Sequence, residues 1–546
     1  MAEGGAPAGA QGWAMAADNA ADKAVDEAPS PWAPLRSAVF RALWIAVLLS
    51  NIGTWMQTVG AQWLLVSGPG ASVLVALVQT ASSLPVLLFA LPSGVLAEFL
   101  DKRRLLLVTQ LFQTVVGAVL AVLTATGAMG PSLLLVLTFL LGAGAAVQLP
   151  AYQAVIPELV PRAELPGAAA LGSISVNLAR AVGPAIAGLV ISWIGVAAVF
   201  AINAVTFLVF AAVLVWWRPE PVDRPHPEAF LSALRAGGRY VRHAPVVRRV
   251  MLRLVLFIVP ASALWALLPL IADRRLGIGS GGYGLLLAAL GIGSLVGAVL
   301  LPRLRRRWSP TMLLTLASVS YAAALLVVGL VRIPWLVVLV LLPAGVAWIM
   351  VLSSLNATVQ GFLPRWVRAR GLSFYQVVLF GATAGGSALW GLVAVPLDLP
   401  LTFVVGAALL LAGAASARLL PLLDVAGVDR GEAPAWLDPQ LVLDPEENPG
   451  PVLVTVEYVV PGGQLDELLA GLVAVRRTRL RTGAVSWRAY RDGERPELVV
   501  EQFVVPSWEE HLRQHSGRLT GADQLSLDRV RELSDPPPKV SHLFSV

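Results

Sequence analysis

The sequence contains no cysteine and only five histidines among its 546 residues. Without thiols it cannot form disulfides, cysteine-ligated zinc sites, iron–sulfur clusters or a thiol nucleophile. All five histidines lie outside the long apolar runs: His226, His243, His511, His515 and His542. We therefore expect no metal site within those runs, and no cofactor.

Charged residues are scarce as well, at 14% of the chain, whereas hydrophobic residues make up 57%. Soluble domains carry roughly a quarter charged residues, and disordered chains have low hydrophobicity. The mean hydropathy of +0.73 excludes both descriptions for the whole chain. Much of the protein must lie in a lipid bilayer.

The basic residues are distributed unevenly. Residues 1–420 carry 27 Lys and Arg against 14 Asp and Glu, and residues 421–546 carry 13 against 20. The arginines of the first part stand mainly at the ends of apolar segments, where they determine membrane topology. The high pI therefore does not indicate a nucleic-acid-binding domain.

Twelve apolar segments are long enough to span a bilayer core, which needs roughly 20 helical residues. They lie at about 40–66, 72–96, 105–126, 132–156, 167–194, 196–217, 250–271, 283–301, 311–331, 334–361, 371–396 and 399–420. The long loop between the sixth and seventh segments divides them into six plus six. The sequence thus predicts an all-α membrane protein with two six-helix halves.

Alternate loops differ sharply in charge. With a cytoplasmic N-terminus, 21 Lys and Arg fall on the cytoplasmic side and three, Arg274, Arg275 and Arg332, on the other. Basic residues are retained on the cytoplasmic side of membranes. We therefore expect a multi-pass plasma-membrane protein with both termini in the cytoplasm.

Composition also sets the expected domain boundaries. They are a disordered cytoplasmic tail at 1–39, the first half at 40–217, a cytoplasmic central loop at 218–249, the second half at 250–420, a linker at 421–450 and a soluble domain at 451–546. In the soluble domain, alternating apolar residues and an Asp492-Gly493 turn predict the order β-α-β-β-α-β. This is a small ferredoxin-like α+β domain.

The two halves repeat each other. Gln153 precedes Pro157 at the end of the fourth segment, and Gln360 precedes Pro364 at the end of the tenth. Internal repeats of this kind are typical of secondary transporters, which bind their substrate between two repeats.

The loop between the second and third segments carries a motif, Gly94-Val-Leu-Ala-Glu98-Phe-Leu-Asp101-Lys102-Arg103-Arg104. It resembles the cytoplasmic loop signature of the major facilitator superfamily, with Glu98, Phe99 and Asp101 departing from that signature. The resemblance implies the major facilitator fold and a gating role for Gly94, Glu98, Asp101, Lys102, Arg103 and Arg104. The alternative is a basic loop that only sets topology.

The fifth segment contains Gly183-Pro184 and Gly188, which resemble the exporter signature of the same superfamily. The segment from Gln148 to Pro161 and the opening Phe40-Arg-Ala-Leu-Trp resemble its enterobactin-exporter-like, or transmembrane secretion effector, branch. The resemblance covers about residues 35–420 and implies export, without identifying the substrate.

Arg180 lies deep in the fifth segment, about 20 Å from its start at 1.5 Å per residue. A central arginine is costly in a membrane. Two roles stay open: helix packing against carbonyls, or recognition of substrate in a cavity. The other cavity candidates are Asn177, Gln57, Gln153, Asn356 and Gln360.

The acidic residues stand near the ends of the apolar segments, so proton coupling has little support. Glu158, directly after Pro157, is the candidate for coupling to protons, and a simple role at the helix end is the alternative.

The C-terminal domain resembles antibiotic-biosynthesis monooxygenases of the ferredoxin fold through Trp487–Tyr490 and Trp508–His515. Such domains often pair, so self-association is an expected partner interaction. His511 and His515 lack an evident third ligand, so we assign neither a metal nor catalysis. The prediction is a secondary transporter that exports an amphipathic small molecule, such as a siderophore or an antibiotic, by alternating access. The alternative is a membrane-anchored, cofactor-independent monooxygenase acting through residues 451–546.

Overall fold

The computed structural model describes residues 30–218, 230–423 and 450–545, with residues 429, 431, 433 and 441, but not the side chains of residues 91, 94–99 and 230–234. Twelve helices in these ranges are long and apolar enough to cross a membrane. This confirms the predicted fold class of an all-α membrane protein with a small α+β domain.

The first half consists of six long helices. They are α1 (Ala38–Leu64), α2 (Ala71–Phe99), α3 (Lys102–Ala125), α4 (Pro131–Leu159), α5 (Leu165–Trp193) and α6 (Val196–Trp216).

A surface helix, α7 (Phe230–His243), connects the halves. The second half consists of α8 (Pro245–Leu270), α9 (Gly279–Arg307), α10 (Pro310–Leu330), α11 (Pro334–Phe362), α12 (Arg365–Val393) and α13 (Leu399–Ala415).

Three predicted boundaries need correction. Regular structure begins before residue 40, because a 3-10 helix at Ala33–Arg36 precedes α1, whereas residues 1–29 lie outside the described part. Helix α8 begins at Pro245 rather than 250, and α12 begins at Arg365 rather than 371. Both helices start with arginine-bearing turns, which remain helical because the arginines can reach the aqueous surface. The predicted linker falls almost entirely on residues that are not described.

The connections alternate between two sides of the bundle. We call the side with the α2–α3, α4–α5, α9–α10 and α11–α12 connections the basic side, because it bears Lys102–Arg104, Arg162, Arg303–Arg307 and Arg365. The other side, with the α1–α2, α3–α4, α5–α6, α8–α9, α10–α11 and α12–α13 connections, is the far side.

The halves meet most extensively through two helix pairs, α2 with α12 and α5 with α9. Glycines make this contact close. A Cβ atom built at Gly284 of α9 would lie 2.6 Å from the carbonyl oxygen of Pro184, and one at Gly391 of α12 would lie 2.6 Å from Cβ of Ala76. Both positions are towards the far side, so the halves are packed together there.

The C-terminal domain contains a four-stranded antiparallel sheet in the order β2-β3-β1-β4. Its elements are β1 (Val452–Val459), α14 (Leu465–Thr482), β2 (Ser486–Arg491), β3 (Leu498–Val505), α15 (Trp508–Arg513), α16 (Gly521–Arg531) and β4 (Lys539–Phe544). The central strands pair Val452 with Val505 and Val456 with Glu501. One face of the sheet is covered by the helices, which bury Val454, Leu472 and Val530 in a separate core.

This domain contacts the membrane body on the basic side. Glu510 of α15 accepts hydrogen bonds from Arg239 of α7 at 2.8 Å and from Arg518 at 2.7 and 2.9 Å. The guanidinium of Arg518 lies 4.8 Å from the ring centre of Trp366 at the start of α12, and Tyr240 of α7 packs edge-on against Trp366. The described contacts thus hold the domain on the second half.

Candidate functional site

Arg180 of α5 and Trp55 of α1 lie together near the middle of the membrane-spanning body. The guanidinium carbon of Arg180 is 5.6 Å from the centre of the Trp55 ring, within the range of a cation–π contact. Gly183 makes this possible, because a Cβ atom there would lie 2.7 Å from Cβ of Trp55. The Nε and Nη1 atoms of Arg180 are buried and have no hydrogen-bond partner among the described residues.

An aromatic cluster continues from Trp55 into the second half. The ring centre of Trp55 lies 5.8 Å from the ring centre of Trp265 in α8. The ring centre of Trp265 in turn lies 5.2 Å from that of Trp348 in α11. Phe257 and Tyr321 pack against Trp348 at 6.0 and 6.1 Å. The cluster therefore forms an apolar wall that joins both halves, with one cation at its edge. We call Arg180, Trp55, Trp265 and Trp348 the arginine–tryptophan site.

A polar network closes the far side of this site. Gln62 of α1 accepts a hydrogen bond from the Tyr283 hydroxyl of α9 at 2.6 Å and donates one to the carbonyl of Trp265 at 3.1 Å. Both side chains are buried. Thr80 of α2 donates to the carbonyl of Ala384 in α12 at 2.9 Å. Each of these bonds crosses between the halves and must break if the far side opens.

The predicted cavity residues are dispersed. Gln57 is buried and accepts a hydrogen bond from Asn203, so it joins α1 to α6 within the first half. Asn177 is half-buried, one turn from Arg180, and donates to the carbonyl of Ser173 at 2.9 Å.

The repeated glutamines lie nearer the basic side. Gln153 of α4 is exposed, and Gln360 of α11 is exposed and donates to Asn356 at 3.0 Å. The helices are both 29 residues long, but Gln153 lies 22 residues after the start of α4 and Gln360 lies 26 residues after the start of α11, so their places differ by one helical turn.

The exporter motif lies at contacts of α5. Gly183 packs on α1. The carbonyl oxygen of Pro184 lies directly against Gly284 of α9. Gly188 meets α9 directly, since a Cβ atom there would lie 2.8 Å from the carbonyl oxygen of Ser280. The motif thus brings α5 against one helix of each half.

The loop motif fastens helices within the first half. Asp101 caps α3 by accepting from the Arg104 amide at 2.8 Å. Arg103 donates to the carbonyls of Leu214 and Val215 at the end of α6, at 2.7 and 2.9 Å. Arg104 is exposed. Gly94 and Glu98 lie in the last turns of α2, and their side chains are outside the described part.

Glu158 ends α4 and forms an ion pair with Lys102 at 2.5 Å. Lys102 also donates to the carbonyl of Ala154 at 3.0 Å. The pair is partly exposed at the basic side, far along α4 from the arginine–tryptophan site. Its geometry is that of a contact between the ends of α3 and α4, and coupling to protons through Glu158 stays a prediction.

Sequence reasoning missed Trp265, Trp348 and Tyr283. Trp348 stands in the middle of the predicted tenth segment, whereas tryptophans that anchor a protein at the membrane surface stand near helix ends. That position was the available signal. Trp265 and Tyr283 gave no comparable signal, because their roles depend on which helices meet.

Three histidines come together in the C-terminal domain. Nε2 of His511 lies 3.1 Å from Nε2 of His542, and the rings of His511 and His515 are 4.6 Å apart. Burial is the main reason that the pKa of His511 falls to about 4 and that of His515 to about 3. These rings are therefore neutral at pH 7. Among the described residues, no three or more His, Asp or Glu side chains are placed to hold a metal.

Residues 29–546 match the family described as transmembrane secretion effector. The chain belongs to that family. The match includes both helical halves and the C-terminal domain.

Curated relatives are transporters of small molecules. The chain is 24% identical to the staphyloferrin A transporter of Staphylococcus aureus, over 50% of this chain and 70% of the relative. It is 26% identical to the multidrug efflux pump Tap of Mycolicibacterium fortuitum, over 66% and 90%. It is 28% identical to the enterobactin exporter EntS of Shigella boydii, over 58% and 75%.

Solved structures share the fold. A bacterial homologue of the human lysosomal transporter Spinster, in an inward-facing and unoccupied conformation, aligns with a TM-score of 0.56 and 17% identity, over 71% of this chain and 95% of that one. The nucleoside transporter NupG aligns with a TM-score of 0.55 and 14% identity, over 70% and 99%. The family match and the transporter relatives make this chain a multi-pass membrane transporter, and the shared fold is of the major facilitator type. The family and its relatives do not favour the monooxygenase alternative.

Proposed function

We propose that this chain exports an amphipathic small molecule across the plasma membrane by alternating access between its two halves, with both termini in the cytoplasm. The observation that carries the proposal is the asymmetry of the interface. The halves are tightly packed on the far side, through Gly284 and the Gln62–Tyr283 bond, while Gln153 and Gln360 are exposed towards the basic side. An exporter that receives substrate from the cytoplasm has this arrangement while it waits for cargo.

The cargo class follows from the relatives and from the site. Relatives are named for siderophores and drugs. The arginine–tryptophan site offers a large apolar wall and one cation, which suits a molecule with an apolar body and a polar end. Alternating access places this site at the pivot between the halves, where each opening exposes it to one side.

A deletion strain provides the test. Loss of the gene should sensitise cells to at least one amphipathic compound in a panel of drugs and siderophores, and the wild-type chain should restore resistance. Gly284→Ala should fail to restore it, because its Cβ atom would meet the Pro184 carbonyl at 2.6 Å and hold the far side apart.

Gly281→Ala is the matched control, because nothing lies within 4 Å of a Cβ atom at that position of the same helix. It should restore resistance fully. Equal complementation by both variants, at equal amounts in the membrane, would contradict closure of the far side as a step of transport. A deletion strain with unchanged sensitivity to the whole panel would contradict export.

A further inference from the structure

Arg180 and Arg253 both lie in membrane-spanning helices, and they differ in how their charge is satisfied. Arg253 of α8 is buried and donates to the carbonyls of Gly413 and Leu420 and to the hydroxyl of Ser416. It is a structural arginine that holds the end of α13. Arg180 has no such set of acceptors, and two of its three nitrogens are buried without a partner among the described residues.

Unpartnered buried donors are costly. A buried donor that loses its acceptor costs about 1–3 kcal/mol, and more when it is charged. The contact of Arg180 with the face of Trp55 compensates only part of this cost, because a ring offers no lone pairs to the N–H groups. A site that keeps such donors unpaired is suited to a ligand that supplies the acceptors.

The charges around Arg180 determine the sign of the charge that such a ligand carries. In the twelve membrane-spanning helices α1–α6 and α8–α13, the only acidic residues are Glu98 and Glu158, both in the last turns before the basic side. A cationic cargo would therefore find no counter-charge near the middle of the membrane and would be repelled by Arg180. An anionic cargo would be attracted.

The apolar wall of tryptophan rings determines the shape of the ligand. Trp55, Trp265 and Trp348 form a continuous series of rings, and Nε1 of Trp348 is a further buried donor without a partner among the described residues. Flat rings favour stacking with a planar aromatic ligand. The N–H groups of Arg180 and Trp348 both favour a ligand that carries oxygen acceptors. Guanidinium groups match the two oxygens of a carboxylate in one plane.

We infer that the arginine–tryptophan site binds a planar aromatic anion, with its negatively charged oxygens on Arg180 and its ring against the tryptophans. This inference rests on the proposed function and names the chemical class of the cargo. An anion stacked in this way satisfies Nε and Nη1 of Arg180 and leaves the Trp55 contact in place. The site accordingly discriminates by charge, rather than by hydrophobicity alone.

Two probes with the same ring and opposite charge test this: 2-naphthoate and 2-naphthylmethylamine. Their binding to the purified full chain in lipid nanodiscs is measured by equilibrium dialysis. Wild type should bind the carboxylate at least about tenfold more tightly, the scale of one hydrogen-bonded charge. Arg180→Ala should lose that preference, and Arg180→Lys should recover only part of it, since an ammonium lacks the planar fork.

Arg332→Ala is the charge-matched control, because it removes one exposed arginine from a far-side connection. It should bind both probes like wild type. If Arg180→Ala does not yield a monodisperse protein, Arg180→Gln takes its place, and the wild-type preference is decisive on its own. Equal binding of the two probes, or tighter binding of the amine, would overturn the inference. Export of drugs in the deletion-strain assay would then still stand, so failure of the cargo class is distinguishable from failure of the transport function.

Discussion

Removing the Tyr283 hydroxyl should loosen the far side selectively. In Tyr283→Phe, the buried Oε1 of Gln62 loses the donor that now lies 2.6 Å away. An acceptor left buried and unpaired costs about 1–3 kcal/mol. Opening of the far side would let water reach Gln62, so the cost applies only to the closed arrangement. The ratio of open to closed molecules should rise by a factor of about 5 to 150.

Spin labels can measure this ratio directly, because the chain contains no native cysteine. Ser67→Cys in the α1–α2 connection and Val395→Cys after α12 place one label on each half at exposed far-side positions. Double electron–electron resonance should show a larger long-distance population in Tyr283→Phe. Tyr321→Phe is the control, because its hydroxyl bonds to Ala261 within the second half. An unchanged distance distribution in Tyr283→Phe, or the same change in the control, would refute the reasoning.

Three further predictions concern other parts of the chain. Glu158→Gln removes a partly exposed ion pair with Lys102, worth about 0–1 kcal/mol, so export should persist. Complete loss of export at normal membrane levels would instead indicate proton coupling at Glu158. Glu510→Gln weakens the bond from Arg239 of α7, which joins the C-terminal domain to the membrane body, as well as the bonds from Arg518 inside the domain. The domain should therefore undock, seen as faster hydrogen exchange in both α7 and α15, and unchanged exchange in α7 would show that other contacts hold the domain. Burial lowers the pKa of His511 from its ordinary value of 6.5 to about 4 in the folded domain. Between pH 6.5 and pH 4 the unfolded chain therefore binds more protons than the folded domain, and the stability of the domain falls as pH falls. At pH 5 the loss should reach about 2 kcal/mol, measured by hydrogen exchange of residues 451–545, and should be smaller in His511→Gln.

Much of the fold could be predicted because its signals are local. Apolar runs bounded by arginines predict the membrane-spanning helices. Alternating apolar residues such as Val452 and Val454 predict a strand without knowledge of which other strands pair with it. The boundary errors at Pro245 and Arg365 share one cause: arginines in a first helical turn look like loop residues in a sequence, but their long side chains reach the aqueous surface.

The site could be predicted only in part. Arg180 stands out because a deep charge is rare in a membrane helix. Its neighbours do not, since the meeting of Trp55 with Trp265 depends on how α1 and α8 pack across the halves. Gln57 shows the reverse case: a polar residue in a span predicts a cavity, but here it bonds to Asn203 inside one half.

Locking the far side tests the account most directly. A bifunctional thiol reagent applied to the double variant Ser67→Cys and Val395→Cys would tie the halves together where they are already packed. We predict that efflux of a compound identified in the deletion-strain assay stops on cross-linking, and that cleaving the cross-link restores it, while each single variant exports normally with the reagent present. Continued efflux at the full rate by fully cross-linked protein would contradict alternating access between the two halves.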